Sequence, residues 1–376
     1  MLKMESIEIK KAHFDLWLLV LTIVLVTCGI TMVYSSSATL AFERFGDSYF
    51  YLKRTLLFAL IGFLLMAAVM RIPYRTFNRF AYPLLLGSLA LVVLVFVPGL
   101  GRTMGGARRW LHIGPFNFQP SEFAKLAMIF FLAYSLEKKS AKIRSFGIGL
   151  IPHLIVMAVV AGAILAQKDF GSAVMIATLT WCMLFAAGVR LTYLFGMVAL
   201  ILPVVYVVLS GEGYRKRRLL AFINPWSDQY GAGFQIIQSF VAFNEGGWFG
   251  KGLGQGQQKL FYLPEAHTDF IFSVLGEEMG LIGVILVIGL FAFFCYRGLR
   301  VALHAPDLYG RYIAVGSTLF ICLSAILNIG VVMGLLPTKG MTLPFISYGG
   351  SSLIVSLMVV GVLLNVSSYR RVDGTT

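Results

Sequence analysis

The chain has 376 residues, of which 58% are hydrophobic and only 13% charged, and it carries a formal net charge of +14. Soluble domains contain about 25% charged residues, so this composition excludes an ordinary soluble protein and a disordered one. The basic residues lie in segments between long apolar runs, which is typical of membrane topology signals and anionic-lipid contacts rather than of nucleic-acid binding. We therefore predict an all-α, polytopic membrane protein with membrane lipids, and no nucleic acid, as partners.

Ten transmembrane helices are predicted within one membrane domain, residues 1–376, because most charge-poor runs approach the roughly 20 residues that cross a bilayer. The second span is short, and the fourth exists only if Glu122 and Lys125 lie inside the membrane. The apolar run after Asp15 exceeds a signal-peptide core and predicts a retained signal anchor. The predicted spans lie near 16–36, 54–71, 77–98, 121–137, 147–167, 170–189, 191–210, 270–296, 311–335 and 349–368.

The distribution of basic residues predicts that both termini are cytoplasmic. With that orientation, 16 of the 31 Lys and Arg residues fall in inner segments, 14 in outer segments and one in a span. Six of the outer residues lie in the long segment 211–268, and without it the count is 16 inside against eight outside, which follows the positive-inside rule. The remaining outer basic residues oppose that rule, and an anionic group bound at the outer face would account for them.

Three outer segments, 99–120, 211–268 and 336–348, are long or unusual and rich in Gly, Pro and polar residues. Loops that carry such residues on a rigid scaffold are frequent sites of function. We therefore expect the functional surface on the extracytoplasmic face.

Glu265, His267 and Asp269 lie within five residues at the start of the eighth predicted span. Carboxylates at the membrane edge are costly unless they are used or paired, and burial would suit one of them to act as a catalytic base. Spacing alone favours the other interpretation, a helix start capped by Thr268 or Asp269. A zinc site is disfavoured because no second histidine lies nearby in the sequence.

Several charged residues fall inside predicted spans. Glu122 and Lys125 are three residues apart on one helix face, so they can form a buried ion pair. Asp169 could join that pair from across the bundle. Glu277 and Glu278 are adjacent and would not both stay ionised if buried without partners, so at least one should face a polar cavity or cap a neighbour.

Two basic clusters, Arg108–Arg109 and residues 215–218, allow two interpretations. They contact lipid headgroups, or they clamp a diphosphate, whose geometry suits Arg. Ser347 opens a small, hydrogen-bonding segment before the last span, which predicts either a polar lining or a close helix contact.

Six motifs together resemble the SEDS (shape, elongation, division and sporulation) family of bacterial peptidoglycan glycosyltransferases, and they extend over essentially the whole chain. The details favour the cell-division branch over the rod-shape branch, with a sporulation paralogue as the alternative. The motifs are Gly106 to Leu111, Phe118 to Glu122 with Lys125, Asp169 to Ser172, Arg218 with Asn224 to Trp226, Pro264 to Phe270, and Leu336 to Gly340 with Leu343 to Ser352.

The resemblance implies polymerisation of lipid II into β-1,4-linked glycan with release of polyprenyl diphosphate. It implies that Asp269 is the general base, while one inverting displacement needs no second carboxylate. Glu122, Lys125 and Asp169 would form a structural polar core. No cofactor is required by the sequence, although a divalent cation could replace basic side chains at the diphosphate. The candidate substrate-binding residues are Arg108, Arg109, Arg218, Glu265, His267, Lys339 and Ser347.

The resemblance also implies a class B penicillin-binding protein, a transpeptidase, as partner, with other division proteins at the septum of the bacterial cytoplasmic membrane. Two other functions fit the residues. A lipid II flippase would use the charges inside the spans as a polar path, although the span pattern contains no inverted repeat. A division scaffold would use the polar residues only for structure.

Overall fold

The computed structural model describes residues 9–11, 13–104, 106–114, 116–210, 220–231, 233–338 and 340–371. The chain is predominantly helical, as the composition predicts. Within those residues, seven helices are long and apolar enough to cross a membrane, and two apolar helices are shorter. The count of ten spans therefore remains a prediction.

A helix lies at each of the ten predicted positions. The helix at the first predicted span extends nine residues beyond the predicted end, and the helix at the eighth predicted span reaches residue 303. Both continue past the apolar run from which the span was predicted. The helices are α1 (Leu16–Phe45), α2 (Phe50–Arg71), α3 (Thr76–Leu94), α4 (Pro120–Lys138), α5 (Ile151–Ala166), α6 (Phe170–Ala186), α7 (Leu191–Ser210), α8 (Phe234–Gly246), α9 (Ile271–Leu303), α10 (Leu308–Val332) and α11 (Gly350–Ser367).

Two of the outer segments contain structure that the sequence analysis did not predict. Helix α8 lies within segment 211–268. Segment 99–120 forms a three-stranded antiparallel sheet of β2 (Gly101–Met104), β3 (Ala107–Ile113) and β4 (Phe116–Phe118). Strand β4 has only three residues, and in β3 two adjacent arginines and an adjacent Trp-Leu pair break the alternation of apolar and polar residues by which strands are recognised.

The two ends of the described chain meet. Strand β1 (Ile9–Lys11) pairs antiparallel with β5 (Tyr369–Arg371). Asp15, the N-cap of α1, also forms an ion pair with Arg297 near the end of α9. Both ends therefore lie on one face of the helix bundle, which requires an even number of membrane crossings.

Helix α9 is kinked at Gly280, and the kink is occupied by a neighbouring loop. Gly280 has φ 68°, a left-handed conformation that favours glycine. The backbone of loop 247–252 forms hydrogen bonds on both sides of it. Lys251 N donates to Glu277 O over 3.0 Å, and Leu281 N donates to Gly247 O over 2.9 Å. The loop therefore supplies partners for backbone groups that the kink releases from the helix.

The loop that precedes α11 is held against α1 by a close backbone approach. A Cβ atom on Gly29 would lie 2.1 Å from Phe345 O and 2.7 Å from Ile346 Cα, so only glycine fits there. Phe345 has a φ of 67°, which is strained for a non-glycine residue. This contact holds residues 345–346 against α1.

Candidate active site

A cavity of about 900 Å³ opens among α1, α2, α4, α10, α11, the three-stranded sheet and segment 259–269. It extends from the loops into the helix bundle. Its charged and histidine lining residues are Arg44, Arg54, Arg102, Arg109, Glu122, Lys125, Lys259, Glu265, His267 and Asp269.

The backbone around Asp269 is held at three successive carbonyl groups. Tyr348 N donates to His267 O over 3.0 Å, and the Ser347 hydroxyl donates to Thr268 O over 2.6 Å. The Asn328 amide donates to Asp269 O over 2.9 Å. The segment is therefore positioned by α10 and by the loop before α11.

Ser347 contacts the backbone of this segment and does not line the cavity. It is buried, and its hydroxyl also accepts a hydrogen bond from Leu343 N over 2.8 Å. These contacts favour a positioning role over the predicted substrate contact. Asn328 was missed by the sequence analysis because it lies 59 residues from Asp269 within an apolar span.

The interpretation that spacing alone favours for this segment, a helix start capped by Thr268 or Asp269, is wrong. The N-cap position of α9 is occupied by Phe270, which provides no capping side chain. The Thr268 hydroxyl instead donates to the Glu265 carboxylate over 2.8 Å. Glu265 has a φ of 58°, so the turn that presents Asp269 to the cavity is strained, as is frequent at functional sites.

Arg109 and Asp269 lie close to one another across Gly340. The position that a Cβ on Gly340 would occupy is 3.3 Å from Asp269 Oδ2 and 3.9 Å from Arg109 Nη1. Arg109 also donates to Lys168 O over 2.5 Å. Arg108 points elsewhere, since its guanidinium donates to Phe96 O over 3.2 Å, and it does not line the cavity. The predicted substrate contact of Arg108 therefore has no geometric support.

Helices α1 and α2 contribute two arginines to the cavity lining that the sequence analysis did not select, Arg44 and Arg54. Arg54 lies over the Phe50 ring at 4.5 Å. The only sequence signal for them was the excess of outer positive charge.

His267 packs between aromatic rings beside these arginines. Its ring centroid is 4.8 Å from that of Tyr51 and 5.8 Å from that of Tyr348. Burial lowers the pKa of His267, the Glu265 carboxylate partly opposes this, and Arg44 reinforces it. Burial also raises the pKa of Tyr348, which Arg54 partly opposes. Aromatic rings therefore surround His267. Its burial among them favours the neutral form of the imidazole.

Glu122 and Lys125 form the predicted ion pair deep in the cavity. Lys125 Nζ is 2.7 Å from Glu122 Oε1, and both side chains are less than a tenth exposed. Asp169 does not join this pair. It is the N-cap of α6 and accepts from Ser172 N over 3.1 Å, from Ser121 Oγ over 3.1 Å and from Gln119 Nε2 over 3.2 Å. It therefore connects the starts of α4 and α6 through neutral donors.

Glu277 and Glu278 are both buried and bind different partners, because adjacent residues on a helix point about 100° apart. Glu277 accepts the backbone N–H groups of residues 257 and 258, at 2.7 and 3.1 Å. Glu278 binds Lys259 Nζ and Ser35 Oγ, each at 2.7 Å. These contacts position Lys259 in the cavity wall.

Among the described residues, six basic and three acidic side chains line the cavity, so it is suited to an anion. The described part of the chain contains no group of three or more His, Cys, Asp or Glu that could hold a metal ion. Arg218 and Lys339, two predicted substrate-binding residues, lie outside the described residues.

Comparison with known proteins identifies the class to which this fold and cavity belong. The family model of FtsW, RodA and SpoVE, described as cell cycle proteins, matches residues 16–372. The chain belongs to this family, which is the SEDS family that its motifs resemble.

Relatives are similar over the whole length. A probable peptidoglycan glycosyltransferase FtsW of Geobacter metallireducens is 49% identical over 100% of this chain and 98% of its own. Stage V sporulation protein E of Bacillus subtilis is 48% identical over 96% and 99%.

Solved structures share the fold. A chain of a peptidoglycan synthase complex that coordinates polymerization and crosslinking is 32% identical, with a TM-score of 0.77, and the match covers 94% of this chain and 97% of that one. The rod shape determining protein RodA of Thermus thermophilus is 29% identical with a TM-score of 0.70, over 94% and 96%.

Proposed function

We propose that this chain is a peptidoglycan glycosyltransferase that polymerises lipid II at the outer face of the bacterial cytoplasmic membrane during division. The observation that carries the proposal is the position of the Asp269 carboxylate in a cavity lined by an excess of basic side chains. The names of the relatives support the same activity.

The reaction joins an acceptor sugar to the donor sugar of a second lipid-linked molecule. The acceptor 4-hydroxyl oxygen attacks the anomeric carbon of the donor as Asp269 removes the hydroxyl proton. The bond to the diphosphate breaks, and its electron pair leaves with polyprenyl diphosphate. A single displacement from the α-linked donor inverts the configuration and forms a β-1,4 linkage. A diphosphate leaves without a strong general acid, which is consistent with one catalytic carboxylate.

The leaving diphosphate needs positive charge, because its negative charge increases as the bond breaks. Lys125 and Lys259 are each paired with a glutamate, so the excess positive charge comes from the arginines. Arg109 lies near Asp269, while Arg44 and Arg54 line the cavity from α1 and α2 and Arg102 from the sheet. We propose that these four side chains neutralise the diphosphates of the two substrates, together with Arg218 and Lys339.

A divalent cation is the alternative source of positive charge. Among the described residues, the lining offers acidic side chains at only three positions, one of them bound to Lys125. A basic lining repels a cation, so this donor set fits a bound metal poorly. We therefore propose neutralisation by the side chains.

We further propose that the shared face of the two termini is cytoplasmic, which places the cavity mouth outside. The basic residues counted in the sequence support this orientation. We propose a class B penicillin-binding protein as the partner that cross-links the product. A structural relative in a peptidoglycan synthase complex supports such an assembly.

The test is glycan synthesis from lipid II by the purified chain with its class B penicillin-binding protein, comparing wild type with Asp269→Asn. The matched control is Asp228→Asn, which makes the same change at an exposed position in segment 211–268, outside the cavity. We expect polymer from wild type and the control, and none from Asp269→Asn at equal folding and complex formation.

Polymer from Asp269→Asn would remove this carboxylate from the chemistry. Absence of polymer from every variant, with lipid II still crossing the membrane of proteoliposomes, would indicate the flippase. Division supported in cells by Asp269→Asn would indicate the scaffold.

A further inference from the structure

Two large aromatic side chains are exposed at the tip of the turn that occupies the α9 kink. Trp248 is 68% exposed and Phe249 is 82% exposed. Large apolar side chains rarely remain exposed side by side unless they contact a membrane or another protein. The proposed glycosyl transfer does not use them, because neither lines the cavity.

The position of this turn along α9 is fixed by backbone hydrogen bonds. Leu281 N donates to Gly247 O over 2.9 Å, and Ile282 N donates to Trp248 O over 3.3 Å. Backbone–backbone contacts do not depend on side-chain rotamers. The turn is therefore held at the level of residues 280–282.

With the proposed orientation, the length of α9 beyond this level matches the thickness of the hydrocarbon region. From Gly280 to Arg297, near the opposite end of the helix, the chain rises about 26 Å, close to the roughly 30 Å core of a bilayer. The first eight residues of α9, 271–278, are buried in the protein. Its exposed apolar side chains begin directly after the kink, at Leu281 and Ile282.

We propose that Trp248 and Phe249 insert into the outer leaflet and anchor the loop between α8 and α9 at the lipid interface. Tryptophan is enriched at this depth because its ring is apolar while its N–H is polar. The aromatic pair continues the lipid-exposed band of α9 upward, which identifies phospholipid as the occupant. The same loop leads to Lys259, so the anchor fixes the height of one cavity wall above the bilayer.

The test measures the depth of residue 249 in phospholipid vesicles. Phe249→Cys is labelled with an NBD fluorophore in the full chain, after the four native cysteines are replaced by alanine. The NBD fluorescence is then quenched by lipids that carry a nitroxide at the headgroup, at a shallow acyl position or at a deep acyl position. Leu286→Cys, exposed farther along α9, is the deep reference, and Ala141→Cys, in the loop after α4, is the aqueous reference.

We expect the probe at 249 to show blue-shifted emission and to be quenched most strongly by the shallow nitroxide. Quenching as weak as that of the probe at 141 would overturn the proposal. Loss of the quenching when the class B penicillin-binding protein is added would also overturn it, because the aromatic pair would then bind protein in the complex.

A second measurement does not require the cysteine replacements. Brominated lipids quench tryptophan on contact, so Trp248→Phe in the otherwise native chain should lower the fraction of quenchable emission. An unchanged quenchable fraction in this folded variant would contradict insertion.

Discussion

Neutralising one member of the buried Glu122–Lys125 pair should destabilise the protein strongly, while neutralising both should not. The charged atoms are 2.7 Å apart and almost fully buried. At an effective dielectric constant of about 20, their attraction amounts to about 6 kcal/mol, which offsets the cost of removing both ions from water. Glu122→Gln or Lys125→Met leaves an unpaired buried charge and should cost about 3–5 kcal/mol.

The double variant Glu122→Gln/Lys125→Met removes both charges, keeps similar volumes and should be within about 1 kcal/mol of wild type. It also leaves the net charge of the cavity unchanged, because the excess comes from the arginines. The three variants and wild type form a double-mutant cycle that isolates the pair from other effects. Thermal unfolding in detergent, followed by tryptophan fluorescence, measures their stabilities.

The structural role of the pair predicts that the double variant also polymerises lipid II. A double variant as unstable as the single variants would show that the two charges do not compensate one another. A double variant that is stable but makes no glycan would show that the pair contacts substrate. Either result would refute the reasoning.

Three further perturbations address the surroundings of Asp269. Asn328→Asp removes the hydrogen-bond donors to two backbone carbonyl groups, and each lost bond costs about 1–3 kcal/mol when buried. The polymerisation rate should fall at least about tenfold while lipid II binding is retained, and an unchanged rate would show that Asn328 does not position Asp269. Gly340→Ala places a methyl group 3.3 Å from the Asp269 carboxylate and should lower the turnover rate more than it lowers the melting temperature; equal polymerisation by wild type and this variant would show that the carboxylate tolerates displacement. Burial lowers the pKa of His267, so the unfolded chain binds more protons and stability should fall as the pH drops below about 6.5; His267→Gln should lack this component in melting curves, and identical pH dependence would contradict it.

Much of the architecture follows from the chain order of apolar and charged residues. Each predicted span contains a helix, because a charge-poor run of that length satisfies all its backbone hydrogen bonds within one segment in lipid only as a helix. The Glu122–Lys125 pair also follows from spacing, since residues three apart lie on one helix face. The sequence could not reveal that residues 99–120 form a sheet, because its short strands depend on pairing with one another.

The composition of the site depends on contacts between distant segments. Asp269 was found from its position at the start of a span and from the family motifs, and these also identified Arg109. The same reasoning selected Arg108, since two adjacent arginines are equivalent in a sequence. In the structure both lie on β3, where successive side chains point to opposite faces, so only Arg109 lines the cavity. Arg44, Arg54 and Asn328 gave no local signal, because they join the site only when α1, α2 and α10 pack around it.

The sequence by itself determined that this is a helical membrane protein and where its helices lie, because these depend on composition and local spacing. The resemblance of its motifs to the SEDS family added Asp269 as the candidate base. Only the tertiary structure decided which cations surround Asp269, that Ser347 and Asn328 hold its backbone, and that Glu277 and Glu278 bind different partners. These arrangements arise when separate segments of the chain pack against one another, and no local pattern encodes that packing.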